Sequence, residues 1–142
     1  MGRGALTDRP ILLDTCAAIW LADGKLSARA EEELQASIRR NTPVFVSPIT
    51  AWEVGMLVSK DRLVLSRPVM TWFDAVLRFG VSLAEMSPDV LVASTELRAD
   101  ELRDPADRII AATARTFQYR VMTRDRPLLA YAARGQVLAI AC

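Results

Sequence analysis

No histidine occurs anywhere in the 142 residues. The commonest general base and the commonest transition-metal ligand are both missing, so any catalysis rests on carboxylates, hydroxyls or a hard cation that prefers oxygen. Cysteine is nearly as scarce: Cys16 and Cys142 form no CxxC pair and supply no disulfide framework for a chain of this size. That scarcity points to a reducing cytoplasm. No apolar run approaches the ~18 residues of a membrane span, and the stretch from Met1 to Arg9 lacks the apolar core of a signal peptide and reads as a flexible tail. An excess of one charge is lacking too. Eighteen basic residues against 17 acidic leave a net +1, so bulk charge neither advertises a nucleic-acid partner nor excludes a locally basic groove. There is no internal repeat, linker or low-complexity segment to divide the chain. With 51% apolar residues and the length of one domain, residues 10–142 are expected to fold around a single core.

What is present is an alternation of short apolar strands and amphipathic helices. The run PILLD, then PVFVS, VSLAEM, YRVMT and VLAIAC read as five strands. Between them, TCAAIWLADG reads as a short helix, and Ser27 caps a second, ARAEEELQASIRR, that stops near Asn41. Ser47-Pro48 opens a helix reaching about Lys60. Ser66 opens another through VMTWFDAVLRF, with Gly80 placed to end it. SPDVLVASTEL repeats the Ser-Pro start, DPADRIIAATART follows, and RPLLAYAA is a last short helix ended by Gly135. This alternation predicts an α/β fold with a mostly parallel sheet covered by helices on both faces. Such sheets bind ligands at the carboxyl ends of their strands, where the strand order reverses.

Four acids are expected at that edge. Asp14 ends the first strand and is the only charged residue between Pro10 and Ala22. Glu53 is the only one in SPITAWEVGMLV, and its helical neighbours Ile49, Met56 and Leu57 place it within an apolar stripe. Asp107 shares a helix face with Ile110, Ala111 and Ala114. Asp125 directly follows the fourth strand. Carboxylates converging from four segments repel one another unless an oxygen-seeking ion such as Mg²⁺ or Mn²⁺ holds them. Each acid also has a plainer reading: Asp14, Asp104 and Asp125 as helix caps, Asp107 as a first-turn acid, Glu53 as the partner of a buried arginine. Trp20, Trp52, Trp72 and Met56 fall in amphipathic helices and read as core. Arg124 and Arg126, flanking Asp125, read either as phosphate ligands or as solvated surface residues.

Taken in order, LLDTCAAIWL, SPITAWEVGML, RDPADRIIAATA and VMTRDRPLLAY resemble the PIN-domain ribonucleases, most closely the VapC-type toxins of bacterial toxin-antitoxin pairs. The resemblance runs from Ile11 to Ile140. It implies a single PIN-like domain with a parallel five-stranded sheet between helices. It also implies that Asp14, Glu53, Asp107 and Asp125 bind a catalytic Mg²⁺ or Mn²⁺, with Thr15, Thr123 and Asp104 in support. RNA as substrate, hydrolysis of its phosphodiester bonds, a homodimer and a cognate antitoxin that blocks the site follow from the same resemblance. Two positions depart from the family pattern: Ala106, where many relatives carry an aromatic residue, and Leu102, near a frequent histidine.

Other readings fit less of the chain. A haloacid-dehalogenase-type phosphatase wants Asp-x-Asp after the first strand, where this chain has Cys16. A receiver domain wants an aspartate after the third strand, where VSLAEM offers only Glu85. A non-catalytic PIN-like module that binds RNA or a partner is the remaining alternative, and intact acids at all four positions weigh against it.

Overall fold

The computed structural model describes residues 8–142. The expected tail therefore lies outside the described residues as far as residue 7. Asp8 and Arg9 are described: Asp8 pairs with Arg40 at 3.6 Å, and the Arg9 carbonyl accepts a hydrogen bond from Arg120 Nε.

Five strands alternate with seven helices among the described residues: β1 (Ile11–Leu13), α1 (Thr15–Asp23), α2 (Ala28–Arg39), β2 (Val44–Val46), α3 (Pro48–Ser59), α4 (Val69–Leu77), β3 (Val81–Leu83), α5 (Pro88–Thr95), α6 (Pro105–Phe117), β4 (Arg120–Thr123), α7 (Arg126–Ala133) and β5 (Leu138–Ala141). The strands form one sheet in the order β3-β2-β1-β4-β5, with every pair parallel. The chain moves outward from β1 through β2 to β3, then crosses back to place β4 on the other side of β1. That reversal sits between β1 and β4, where Leu13 is level with both Val46 and Met122. The carboxyl ends of the three central strands therefore open on one edge.

Alternation along the strands divides the core. Ile11, Leu13, Val46 and Met122 face one way and pack with Ala17, Val54, Trp72, Phe73 and Val76 from α1, α3 and α4. Leu12 and Val121 face the other way, against Ile110 and Ala114 of α6. All three residues of β1 are fully buried, which accounts for a run apolar at every position rather than at every second one.

Several local expectations change. Ser66 does not cap α4, which begins at Val69 after Pro68 with no side-chain cap; the two residues between Ser66 and Val69 include a proline that moves the helix start downstream. Strand β3 stops at Leu83, short of the whole VSLAEM run. Trp72 is buried as expected, whereas Trp52 is 55% exposed.

One half-buried arginine organises the approach to α6. Arg108 donates to four main-chain carbonyls, those of Ser94 (3.0 Å), Leu102 (2.9 Å), Thr95 (3.3 Å) and Leu97 (2.7 Å). The guanidinium thus gathers the end of α5 and the connection that delivers Asp104 and Asp107. Charged donors to carbonyls are the stronger class of hydrogen bond, and orphaned carbonyls are costly. Arg108→Met is expected to lower stability by about 3 kcal/mol, read by urea denaturation; a loss well under 1 kcal/mol contradicts this role.

Candidate active site at the carboxyl edge of the sheet

Asp14 is only 2% exposed. Its Oδ1 accepts from the Ala17 N–H at 2.7 Å, capping α1, and its other carboxylate oxygen accepts from the Thr123 hydroxyl. Burial pushes the carboxyl up to about 6; these two hydrogen bonds oppose the rise, and the charges of Asp125 and Glu53 add to it. The buried Thr123 hydroxyl also accepts the Asp125 N–H at 2.9 Å, so one side chain ties the end of β4 to both acids. Asp125 in turn caps α7 by accepting from the Leu128 N–H at 3.1 Å.

Glu53 projects from the second turn of α3, half-buried beside Met56 and Leu57. Its carboxyl is raised by burial, lowered by a hydrogen bond with Thr15, and raised again by Asp104 and Asp125. No arginine or lysine among the described residues pairs with it. Thr15 also lies 3.1 Å from Thr50, hydroxyl to hydroxyl. Thr50, fully buried, was not singled out in the sequence; its place three residues before Glu53, on the same face of α3, was the available signal.

Asp104 is the cap of α6, accepting the Asp107 N–H at 3.0 Å. Asp107 lies one turn inside, and burial together with Asp125, Asp104, Glu53 and Asp14 drives its carboxyl up to about 8. Capping and clustering are therefore not alternatives. Asp14, Asp104 and Asp125 each cap a helix, and all of them raise the pKa of a neighbouring acid in this group. Leu102, just before α6, and Ala106, in its first turn, are the two departures, and both are buried.

These carboxylates feel one another without being drawn together. Among the described residues, no three acidic or cysteine side chains are placed closely enough to hold an ion as they stand. Like charges facing one another keep apart. The donor chemistry nonetheless fits a hard cation: carboxylates and hydroxyls dominate it, and the Cys16 thiol among them is pushed up by burial and the acids' charges, which keeps it protonated. The edge is open, with a shallow recess of about 180 Å³ beside Glu53, Trp52 and Asp104.

Asp107 titrates near 3.8 in an unfolded chain and near 8 in the folded one. Between those values the folded state binds more protons than the unfolded state, so stability falls as pH rises. Without added metal, the melting temperature is expected to drop between about pH 4 and pH 8, and Asp107→Asn is expected to flatten that slope. An unchanged slope in the variant contradicts the coupling.

Residues 11–134 match the family model of the PIN domain. The chain is 30% identical over 120 residues to Ribonuclease VapC22 of Mycobacterium tuberculosis, covering 83% of this chain and 88% of that protein. Its fold resembles VapBC2 from Rickettsia felis bound to a promoter DNA fragment, at a TM-score of 0.70 and 16% identity over 94% of this chain and 98% of that one. It also resembles DNA-bound VapBC from Salmonella typhimurium, at a TM-score of 0.64 and 18% identity over the same shares of the two chains. A parallel sheet in the order β3-β2-β1-β4-β5 and a family match spanning four of its five strands and most of the chain place the chain in the PIN-domain family.

Proposed function

We propose that the chain is a divalent-metal-dependent endoribonuclease, the toxin of a toxin-antitoxin pair, acting in the cytoplasm as a homodimer until a cognate antitoxin binds it. The observation that carries this reading is the mutual elevation of Asp14, Glu53 and Asp107 at one edge, in a chain similar to a ribonuclease. Among the described residues, no helix is long and apolar enough to cross a membrane.

Asp14, Glu53, Asp107 and Asp125 would hold Mg²⁺ or Mn²⁺. Bound there, such an ion supplies charge neutralisation for the phosphodiester and makes water more acidic. The chain's own residues do the rest. Thr123 fixes the Asp14 carboxylate, and the capped start of α7 fixes Asp125, so two ligands are oriented before substrate arrives. With no histidine in the chain, the proton lost by the attacking water passes to a carboxylate. Attack by water rather than by the ribose hydroxyl leaves a phosphate on one fragment and free hydroxyls on the other.

The second reading, a PIN-like module that binds without cutting, draws on the absence, among the described residues, of three side chains already placed to hold an ion. Turnover separates the two. Cleavage of single-stranded or structured RNA is expected with Mg²⁺ or Mn²⁺ and is expected to stop with EDTA. Asp14→Asn, Glu53→Gln, Asp107→Asn and Asp125→Asn are each expected to cut turnover by orders of magnitude while the protein stays folded. Asp104→Ala is expected to cost about 1 kcal/mol of stability and only part of the activity. Cleavage that survives thorough chelation contradicts the metal, and an active Asp107→Asn beside an inactive Asp104→Ala moves the third ligand by one helical turn.

A further inference from the structure

Arg124 directly precedes Asp125, and its side chain is held in place. Its guanidinium carbon lies 3.4 Å from the centroid of the Trp20 ring, and its Nη2 donates to the main-chain carbonyl of Cys142 at 3.1 Å. Both anchors belong to elements that build the acid edge. Trp20 is on α1, the helix that Asp14 caps, and the Cys142 N–H donates to the Thr123 carbonyl at 3.0 Å, extending the β4–β5 ladder beside the Thr123 that holds Asp14. The Cys142 thiol is pushed up mainly by burial, with the Asp14 charge adding to the rise and the Arg124 charge opposing it, so both charges act near this end of the sheet.

The charge itself is unspent. The ion pairs of the described residues join Arg40 to Asp8, Arg98 to Asp100 and Glu101, and Arg120 to Glu33, and none includes Arg124. A cation pinned by an aromatic face and a carbonyl, next in sequence to Asp125 yet in no ion pair among the described residues, keeps N–H donors for another anion. Pinning also means that little side-chain freedom remains to be lost on binding. Trp20 stands six residues along α1 from the Asp14 cap, about 9 Å at the helical rise, so the guanidinium serves a phosphate next to the one at the acids rather than the one being cut.

Resting on the ribonuclease reading above, we infer that Arg124, stacked on Trp20 and tied to the Cys142 carbonyl, is a substrate-positioning residue that grips a backbone phosphate flanking the scissile bond. The stack and the carbonyl fix where the charge stands, and the flanking phosphate fixes the register of the RNA across the acid edge. Such a contact is blind to base identity and acts through affinity and salt dependence.

The test uses the full chain in two forms. In the cleavage-competent form with Mg²⁺, Arg124→Ala is expected to raise KM for a short RNA roughly tenfold, in line with loss of a charged hydrogen bond, with kcat within about twofold. In an Asp14→Asn background that binds without cutting, the same change is expected to weaken RNA binding and to reduce the slope of log affinity against log salt by about one. Arg124→Lys keeps the charge without the planar stack and is expected to fall between; Trp20→Leu, which frees the arginine, is expected to raise KM with the salt slope intact. A folded Arg124→Ala with unchanged KM, affinity and salt slope overturns the inference, as does a variant that loses kcat alone. Failure of the unsubstituted chain to bind or cut RNA instead removes the reading beneath it, so the two failures are distinct.

Discussion

Mutual repulsion among carboxylates at the carboxyl edge is the constraint on which the rest of the structure depends. Asp107 faces Asp125, Asp104, Glu53 and Asp14, and its carboxyl rises to about 8 as a result of burial and those charges. A chain selected only for stability has no reason to bring these groups together. The fold accepts this cost and distributes it, because three of the acids are also helix caps whose oxygens satisfy main-chain N–H groups.

The sheet is what brings them there. Because β1 and β4 are neighbours and parallel, the residues after Leu13 and Thr123 emerge side by side, and a single buried hydroxyl, that of Thr123, is enough to fix both acids that follow. Helix α3 starts from the adjacent strand β2 and carries Glu53 back over the same edge. Helix α6 arrives from the far side of the sheet, and its placement relies on Arg108 gathering the preceding connection. Rigidity near the acids thus comes from hydroxyls and caps, and rigidity of the approach comes from one arginine.

Much of this was legible in the sequence, for identifiable reasons. The strand and helix alternation, the parallel sheet and the three Ser-Pro or Asp-Pro helix starts follow from local patterns, and the structure has them at nearly the expected bounds. Asp14 and Glu53 stand out because each is alone in an apolar run, Asp107 because it shares a helix face with Ile110, Ala111 and Ala114, and Asp125 because it directly follows a strand. What was not legible depends on partners distant in sequence. Trp52, which is exposed, and Trp72, which is buried, both lie on largely apolar helices, and only the packing of those helices separates them. Arg124 reads first as a solvated residue and is indeed exposed, but its stacking on Trp20, more than a hundred residues away in sequence, leaves no local signal. Ser66 carried a capping signal that the following Pro68 displaced.

The central claim, that these acids form one cation site, is tested most directly by calorimetric titration of Mn²⁺ into the ion-free protein at pH 7, repeated in buffers of different ionisation enthalpy. If the cluster holds a proton that the ion displaces, binding releases protons, and neutralising any one of Asp14, Glu53, Asp107 or Asp125 weakens it. Mn²⁺ binding that releases no protons and is indifferent to all four substitutions contradicts the account.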